Sequence, residues 1–365
     1  MGISQIAGAS ASVTTYYGPG AWIDARAEDQ LAQVAHWPGL RAVAAFPDLH
    51  PGRHGPVGAA FLADRLYPQL VGPDIGCGMA LFRLDLSRRK LNLDRAVRRM
   101  RALEAPFDGA GRMGDWPGLT PHGLGTIGGG NHFCELQEVA EAGAGFAAGE
   151  LCLLVHSGSR SQGADIFARL DGRWNAGFAA SSGDGMAYLA RHDAAVAWAR
   201  LNRRLIAERA AEALRCHLEP ICDAAHNLVT PLGDGWLHRK GAAEAGGALV
   251  PLAGSREAAS YVLAPSAMPE ATLASLSHGA GRRHDRAAMR ARMRTGRADL
   301  AALARTRFGG RVVCEDRDRI VEEAGRAYKD AAAVAADLEA FGLARIVATM
   351  TPLLTHKRAR AEGGR

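Results

Sequence analysis

The sequence lacks any CxxC pair: Cys77, Cys134, Cys152, Cys216, Cys222 and Cys314 stand singly in apolar or helical contexts. That arrangement is unlike the disulfide framework of a secreted domain. Long apolar runs are missing too, so no segment reads as a bilayer span. The N-terminal stretch "MGISQIAGASASVTTYYGPG" has neither the basic start nor the apolar core of a signal peptide, which predicts a soluble cytoplasmic protein. Three familiar catalytic spacings are absent as well. "GTIGGGNH" fits neither the GxxxxGK[ST] of a P-loop nor the GxGxxG of a dinucleotide fold. "HSGSRSQG" puts Ser157 and Ser159 beside His156 without the GxSxG elbow of a serine hydrolase.

What remains is globular. Apolar residues make up 48% and charged residues 22%, and 365 residues can bury a large core as one large domain or two ordinary ones. No repeat, low-complexity linker or composition break divides the chain. Forty-four Lys and Arg against 38 Asp and Glu give +6, with a pI near 9.2, a balance that suits a polyanionic partner.

Periodicity predicts a mixture of strands and helices. Residues 26–37 read as a helix, and "RAVAAFPDLH" as a short strand running into a turn. "MALFRLDL" alternates like a strand with two apolar faces, and Ser87 is placed to cap a helix that buries Leu93, Val97 and Met100. "LCLLVHSGSR" is a buried strand ending at His156. A long helical stretch from Met186 to about Cys222 follows, with room for one break. "ALVPLAG" and "ASYVLAP" read as strands, and "RADLAALARTRF" and "DAAAVAADLEAFG" as helices.

One design recurs: an apolar strand or glycine turn delivers a polar donor into a loop. It supplies Asp74 and Cys77 in "GPDIGCG", Asn131 and His132 in "GGGNHF", His156, His226 in "AAHNLV", and His278 in "SLSHGAGR". Each residue alone reads most simply as a hydrogen-bonded core or turn residue. Together, histidines, an acid and a thiol in glycine-rich surroundings point to a metal site, because such ions need rigidly held donors. Ligand type fits zinc as well as manganese, and Cys77 can bridge two ions. Small neighbours keep the His278 imidazole accessible, either as one more ligand or as a covalent nucleophile.

In order along the chain, "DIGCGM", "GGGNHFCE", "HSGSR", "HNLV", "RKGA", "GS…SYVL", "SHGAGR" and "AYKD" resemble the RtcB family of RNA-splicing ligases, from about residue 47 to Lys357. The resemblance implies a mixed α/β fold: one compact domain over residues 1–357, with sheets around a deep metal-binding cleft, flanking helices, and residues 358–365 as a flexible tail. It implies a ligase dependent on GTP and two Mn2+ ions. Such an enzyme joins an RNA 3′-phosphate or 2′,3′-cyclic phosphate end to a 5′-hydroxyl end, in RNA repair or tRNA splicing. His278 would attack the α-phosphate of GTP, form histidine-GMP and release pyrophosphate; GMP would then activate the RNA 3′-phosphate for attack by the 5′-hydroxyl. Asp74, Cys77, His132, His156 and His226 match the metal ligands, with Cys77 shared. Asn131 matches a phosphate contact, and Phe133, Glu135, Ser255, Ser260, Tyr328 and Lys357 match guanylate contacts. Lys240 matches a residue meeting phosphate or the RNA end.

The arginine-rich stretch at residues 281–297, with Arg282, Arg283, Arg286, Arg290, Arg292, Arg294 and Arg297, reads either as an RNA track or as a solvated helix. Departures from the family pattern fall in "GSRE", where many members read "GSMG", around His54, and at Lys357 in "LLTHKRAR". They resemble a shorter branch of the family associated with a release-factor-like partner. Two rival functions keep the same residues: a metal-dependent phosphatase or cyclic phosphodiesterase, and a catalytically silent RNA-binding protein.

Overall fold

Strand-forming sequence is spread along the whole chain and is gathered into two large sheets. The protein is seen in a computed structural model that describes residues 2–4, 11–105, 107–114, 116, 118–170, 176–293 and 296–357. The expected tail, 358–365, lies outside the described residues. One sheet has six strands, in the order Gly2–Ser4, Ser12–Thr15, Leu40–His50, Val57–Ala63, Gly235–Lys240 and Asn227–Leu232. The other runs Val250–Leu252, Ser260–Pro265, Ala344–His356, Phe133–Ala142, Leu151–Ser157, Gly78–Leu84 and Leu218–Ala225, with Arg311–Val313 added parallel to Ala344–His356. A short pair, Ala242–Glu244 with Ser275–Ser277, lies apart from both. Helices flank these sheets, so the mixed α/β fold in a single compact domain is what the chain adopts.

Gly78–Leu84 lies between Leu151–Ser157 and Leu218–Ala225, and every residue of Leu151–Ser157 is buried, as expected of a strand covered on both faces. The helix Gly183–Leu214 packs across this part of the sheet and buries Trp198, Ala199, Ile206 and Ala207. Arg203 of the same helix is fully buried. It donates to the carbonyls of Gly76 (2.7 Å) and Ser157 (2.8 Å) and pairs with Asp223 at 2.7 Å, which ties together three neighbouring strand ends.

Three local expectations need correction, and one strand had not been expected. The long helix stops at Leu214, because Arg215 adopts the left-handed conformation, and the next segment, which contains Pro220, is the strand Leu218–Ala225. The cap of Leu93–Met100 is Asn92, whose side chain accepts the Arg95 N–H, while Ser87 precedes a separate 3-10 turn. "RAVAAFPDLH" is part of an eleven-residue strand. Ala344–His356 was not anticipated: Pro352 interrupts its strand pattern, and the sheet absorbs that proline at a register shift between Pro352 and Leu354.

Buried neutral histidines make the fold acid-sensitive. His238 accepts the Tyr67 N–H on Nε2 at 2.9 Å, and burial pushes it down to about 3. Burial likewise holds His50 and His356 at about 4. The unfolded chain therefore binds more protons than the folded one between pH 6.5 and these values. Stability is full above pH 6.5 and falls on acidification, by about 1 kcal/mol per pH unit per histidine. Calorimetry should show the melting temperature dropping steeply from pH 6.5 to 4, with a shallower slope in His238→Gln. A flat profile for the wild type would contradict this assignment.

Candidate active site

The register of the larger sheet explains why residues far apart in sequence meet. Gly78 pairs with Ser157 on one side and Ala225 on the other, so Cys77, His156 and His226 come to one end of three adjacent strands. Phe133 pairs with His156, which brings His132 to the same end. The "PDIGCG" turn needs its glycines for different reasons. Gly76 has φ +72°, whereas a Cβ on Gly78 would lie 2.7 Å from the Ala224 carbonyl oxygen.

The donors converge through sulfur and the Nε2 atoms. Cys77 Sγ lies 3.4 Å from His132 Nε2 and 3.2 Å from His156 Nε2, and His156 Nε2 lies 3.4 Å from His226 Nε2. Asp74 Oδ2 is 2.8 Å from His132 Nε2. Cys77, His132 and His156 each offer an atom within 4.8 Å of the others, and all three are buried. Burial lowers His156 and His226 far below the ordinary imidazole value, so both present lone pairs at neutral pH. Burial and the Asp74 carboxylate raise the Cys77 thiol, which becomes a thiolate only where a cation repays the desolvation. One sulfur, three imidazole nitrogens and a carboxylate suit a transition metal.

His278 follows the strand Ser275–Ser277, and its ring centroid is 4.7 Å from that of His226. Its Nδ1 donates to Asp48 Oδ2 at 2.7 Å, and its backbone N–H reaches the same oxygen at 3.2 Å. Asp48 is fully buried. Burial works against its charge, but the hydrogen bond donated by His278 outweighs it and holds the carboxyl below its usual value. Nδ1 is thus committed and Nε2 is left free, which sets the tautomer. Asp48 was not singled out in the sequence, where it stands inside the apolar strand Leu40–His50.

Twelve of the fourteen residues singled out, Asp74, Cys77, Asn131, His132, Phe133, Glu135, His156, His226, Ser255, His278, Tyr328 and Lys357, line one cavity of about 550 Å³. Glu135 is buried, accepts hydrogen bonds from Thr355 Oγ1 and, at 2.5 Å, from Gln137 Nε2, and is raised by burial. Lys357 donates to the Asn131 and His132 carbonyls, and its Nζ sits 5.6 Å from the Phe133 ring centroid and 3.7 Å from Glu323. Tyr328 donates to Glu323. Burial works upward on that carboxylate, but Lys357, Arg282, the Tyr328 hydroxyl and Arg286 together bring it down to about 2.

Ser260 and Lys240 lie behind this wall. Ser260 Oγ accepts from the Gly254 N–H and from Gln137 Nε2, both at 3.1 Å. Lys240 Nζ donates to the carbonyls of Gly55 (3.1 Å) and Gln69 (3.0 Å), and burial lowers its ammonium to about 7.

The arginine stretch is partly consumed by the fold. Arg282 turns inward to Glu323 and the Glu322 carbonyl, Arg286 and Arg290 pair with Glu322, and Arg283 lies over the Trp22 ring. Glu322 and Glu323, 32 to 41 residues away in sequence, supply the acidic partners, which is why a local reading saw none. Arg294 lies outside the described residues. No helix among the described residues is long and apolar enough to cross a membrane.

Fold and site together define a class: a mixed α/β protein with a candidate metal centre in the lining of a cavity and a carboxylate-held imidazole beside it. Comparison with known proteins narrows that class. The chain belongs to the RtcB family, described as tRNA-splicing ligase RtcB, which it matches over residues 30–109 and 119–358. It is similar to RNA-splicing ligase RtcB2 of Escherichia coli, at 41% identity over 97% of this chain and 98% of that one. RNA-splicing ligase RtcB of Mycobacterium tuberculosis is 31% identical over 89% of this chain and 99% of its own. For tRNA-splicing ligase RtcB of Thermococcus kodakarensis the figures are 28%, 90% and 90%.

Proposed function

We propose that this protein is an RNA ligase dependent on GTP and manganese, which joins a 3′-phosphate or 2′,3′-cyclic phosphate end to a 5′-hydroxyl end. The names of its relatives support RNA ligation. The observation that carries the finer reading is the His278 imidazole, fixed through Nδ1 by buried Asp48 beside the cluster of thiol and imidazoles. Residues 1–357 form the catalytic unit and act in the cytoplasm.

Cys77 would be the ligand common to two Mn2+ ions, and Asp74, His132, His156 and His226 would complete the set. When bound, the ions supply positive charge for phosphate oxygens and the departing pyrophosphate. His278 Nε2 forms a bond to the α-phosphorus of GTP as the bond to pyrophosphate breaks. The imidazole becomes positive in that step, and Asp48 stabilises it through the Nδ1 proton. The RNA 3′-phosphate then takes GMP from Nε2. Attack by the 5′-hydroxyl on that activated phosphate releases GMP and leaves a 3′,5′-phosphodiester.

Asn131 holds phosphate, Phe133 faces the base, and Glu135 meets the donor edge of guanine. Ser255, Tyr328 and Lys357 complete the guanylate wall, and Ser260 supports it from behind. Lys240 contributes through the loop it anchors, whose residues Pro51, Gly52 and Arg53 border the cavity. Repair of broken RNA with a release-factor-like partner fits the shorter branch that the chain resembles; tRNA splicing uses the same chemistry.

An RNA carrying a 2′,3′-cyclic phosphate and a 5′-hydroxyl, incubated with GTP and Mn2+, should give joined product that requires GTP. Hydrolysis without joining at every GTP level would establish the phosphatase or phosphodiesterase reading instead. Steeply salt-dependent RNA binding with neither metal nor turnover would favour the silent binder.

A further inference from the structure

Arg256, in "GSRE", is 3% exposed and lines the cavity. Its Nε, Nη1 and Nη2 have no hydrogen-bond partner among the described residues. Glu257 Oε1 forms an ion pair with Nε at 3.5 Å, and the same oxygen accepts the Gly325 N–H. Glu257 thus balances the charge from one side, but a guanidinium carries five donors that are costly to bury without acceptors, so this one implies a partner that arrives with a ligand. The position of the residue narrows what that partner is. Gly254, two residues earlier, donates to Ser260 Oγ; Gln137 donates to that oxygen and to Glu135. The segment that carries Arg256 is thus linked to Glu135, and both residues line the cavity, one offering donors and the other acceptors to a ligand edge.

We infer that Arg256 reads the acceptor edge of the guanine base, O6 and N7, and is a specificity-determining residue of this chain. The inference rests on the guanylate reading above. Arginine matches O6 and N7 with paired donors, whereas adenine presents an amino group where guanine has O6, so donor would face donor.

The test measures covalent labelling of the full-length, manganese-loaded protein against concentration. The nucleotides are GTP, ATP and 2-aminopurine ribonucleoside triphosphate, which lacks O6 and the N1 proton that accompanies it. Wild type should need roughly tenfold more of the O6-lacking nucleotide than of GTP for half-saturation. Arg256→Met should need roughly tenfold more GTP than wild type, narrow the preference between the two to what the N1 proton contributes through Glu135, and keep its metal. Equal losses for both nucleotides would mean a phosphate contact and overturn the inference, as would an unchanged requirement for GTP. A wild type indifferent to O6 overturns it whether or not the variant folds. A wild type labelled by no nucleotide ends the guanylate reading itself, and this inference with it.

Discussion

Replacing His278 by alanine is expected to abolish nucleotide transfer to the protein, and replacing Asp48 by asparagine to slow it by roughly 10²–10⁴-fold. The second substitution is the more informative. Asparagine keeps the size of the side chain but removes the charge that accepts the Nδ1 proton at 2.7 Å. The imidazole is then free to carry its proton on Nε2, which blocks the attacking lone pair, and the positive charge formed during attack loses its counterion. Asp48 acts through His278 and is a positioning residue. Its variant should bind metal and GTP as the wild type does while the labelling rate falls. Rapid-quench labelling with metal content measured in parallel checks this, and an Asp48→Asn rate equal to wild type would refute the positioning role.

Cys77→Ala is expected to weaken metal binding by more than roughly 100-fold, since changes even to groups that only support ligands cost 10–100-fold. Its sulfur contacts both His132 and His156, so the loss removes the atom common to the cluster. Wild type should melt at a higher temperature with added Mn2+, whereas the variant should show little shift, because stabilisation follows the affinity for the folded state. Stoichiometric metal in the Cys77→Ala protein would place the centre elsewhere.

Much of the site was legible because its donors sit where apolar patterns end. Cys77 before Gly78–Leu84, His132 before Phe133–Ala142, and His156 near the end of Leu151–Ser157 are all read from strand edges, and sheet register does the rest. Asp48 was missed because it lies within the apolar strand Leu40–His50, where a lone acid looks like sheet or turn chemistry until His278 is brought to it from 230 residues away. Arg203 was missed for a related reason: on an alanine-rich helix bearing several arginines, nothing local marks the one that faces inward. Ser260 and Lys240 show the converse. Motif matching selects residues that build the wall together with those that line the cavity, and only packing separates them.

The most direct test is to incubate the wild-type protein with α-radiolabelled GTP and Mn2+, trap the adduct and map the labelled peptide. One acid-labile GMP on His278 is the predicted result, with none in His278→Ala. Labelling on another residue, or joining of RNA ends without any protein-GMP species, would contradict the proposed chemistry.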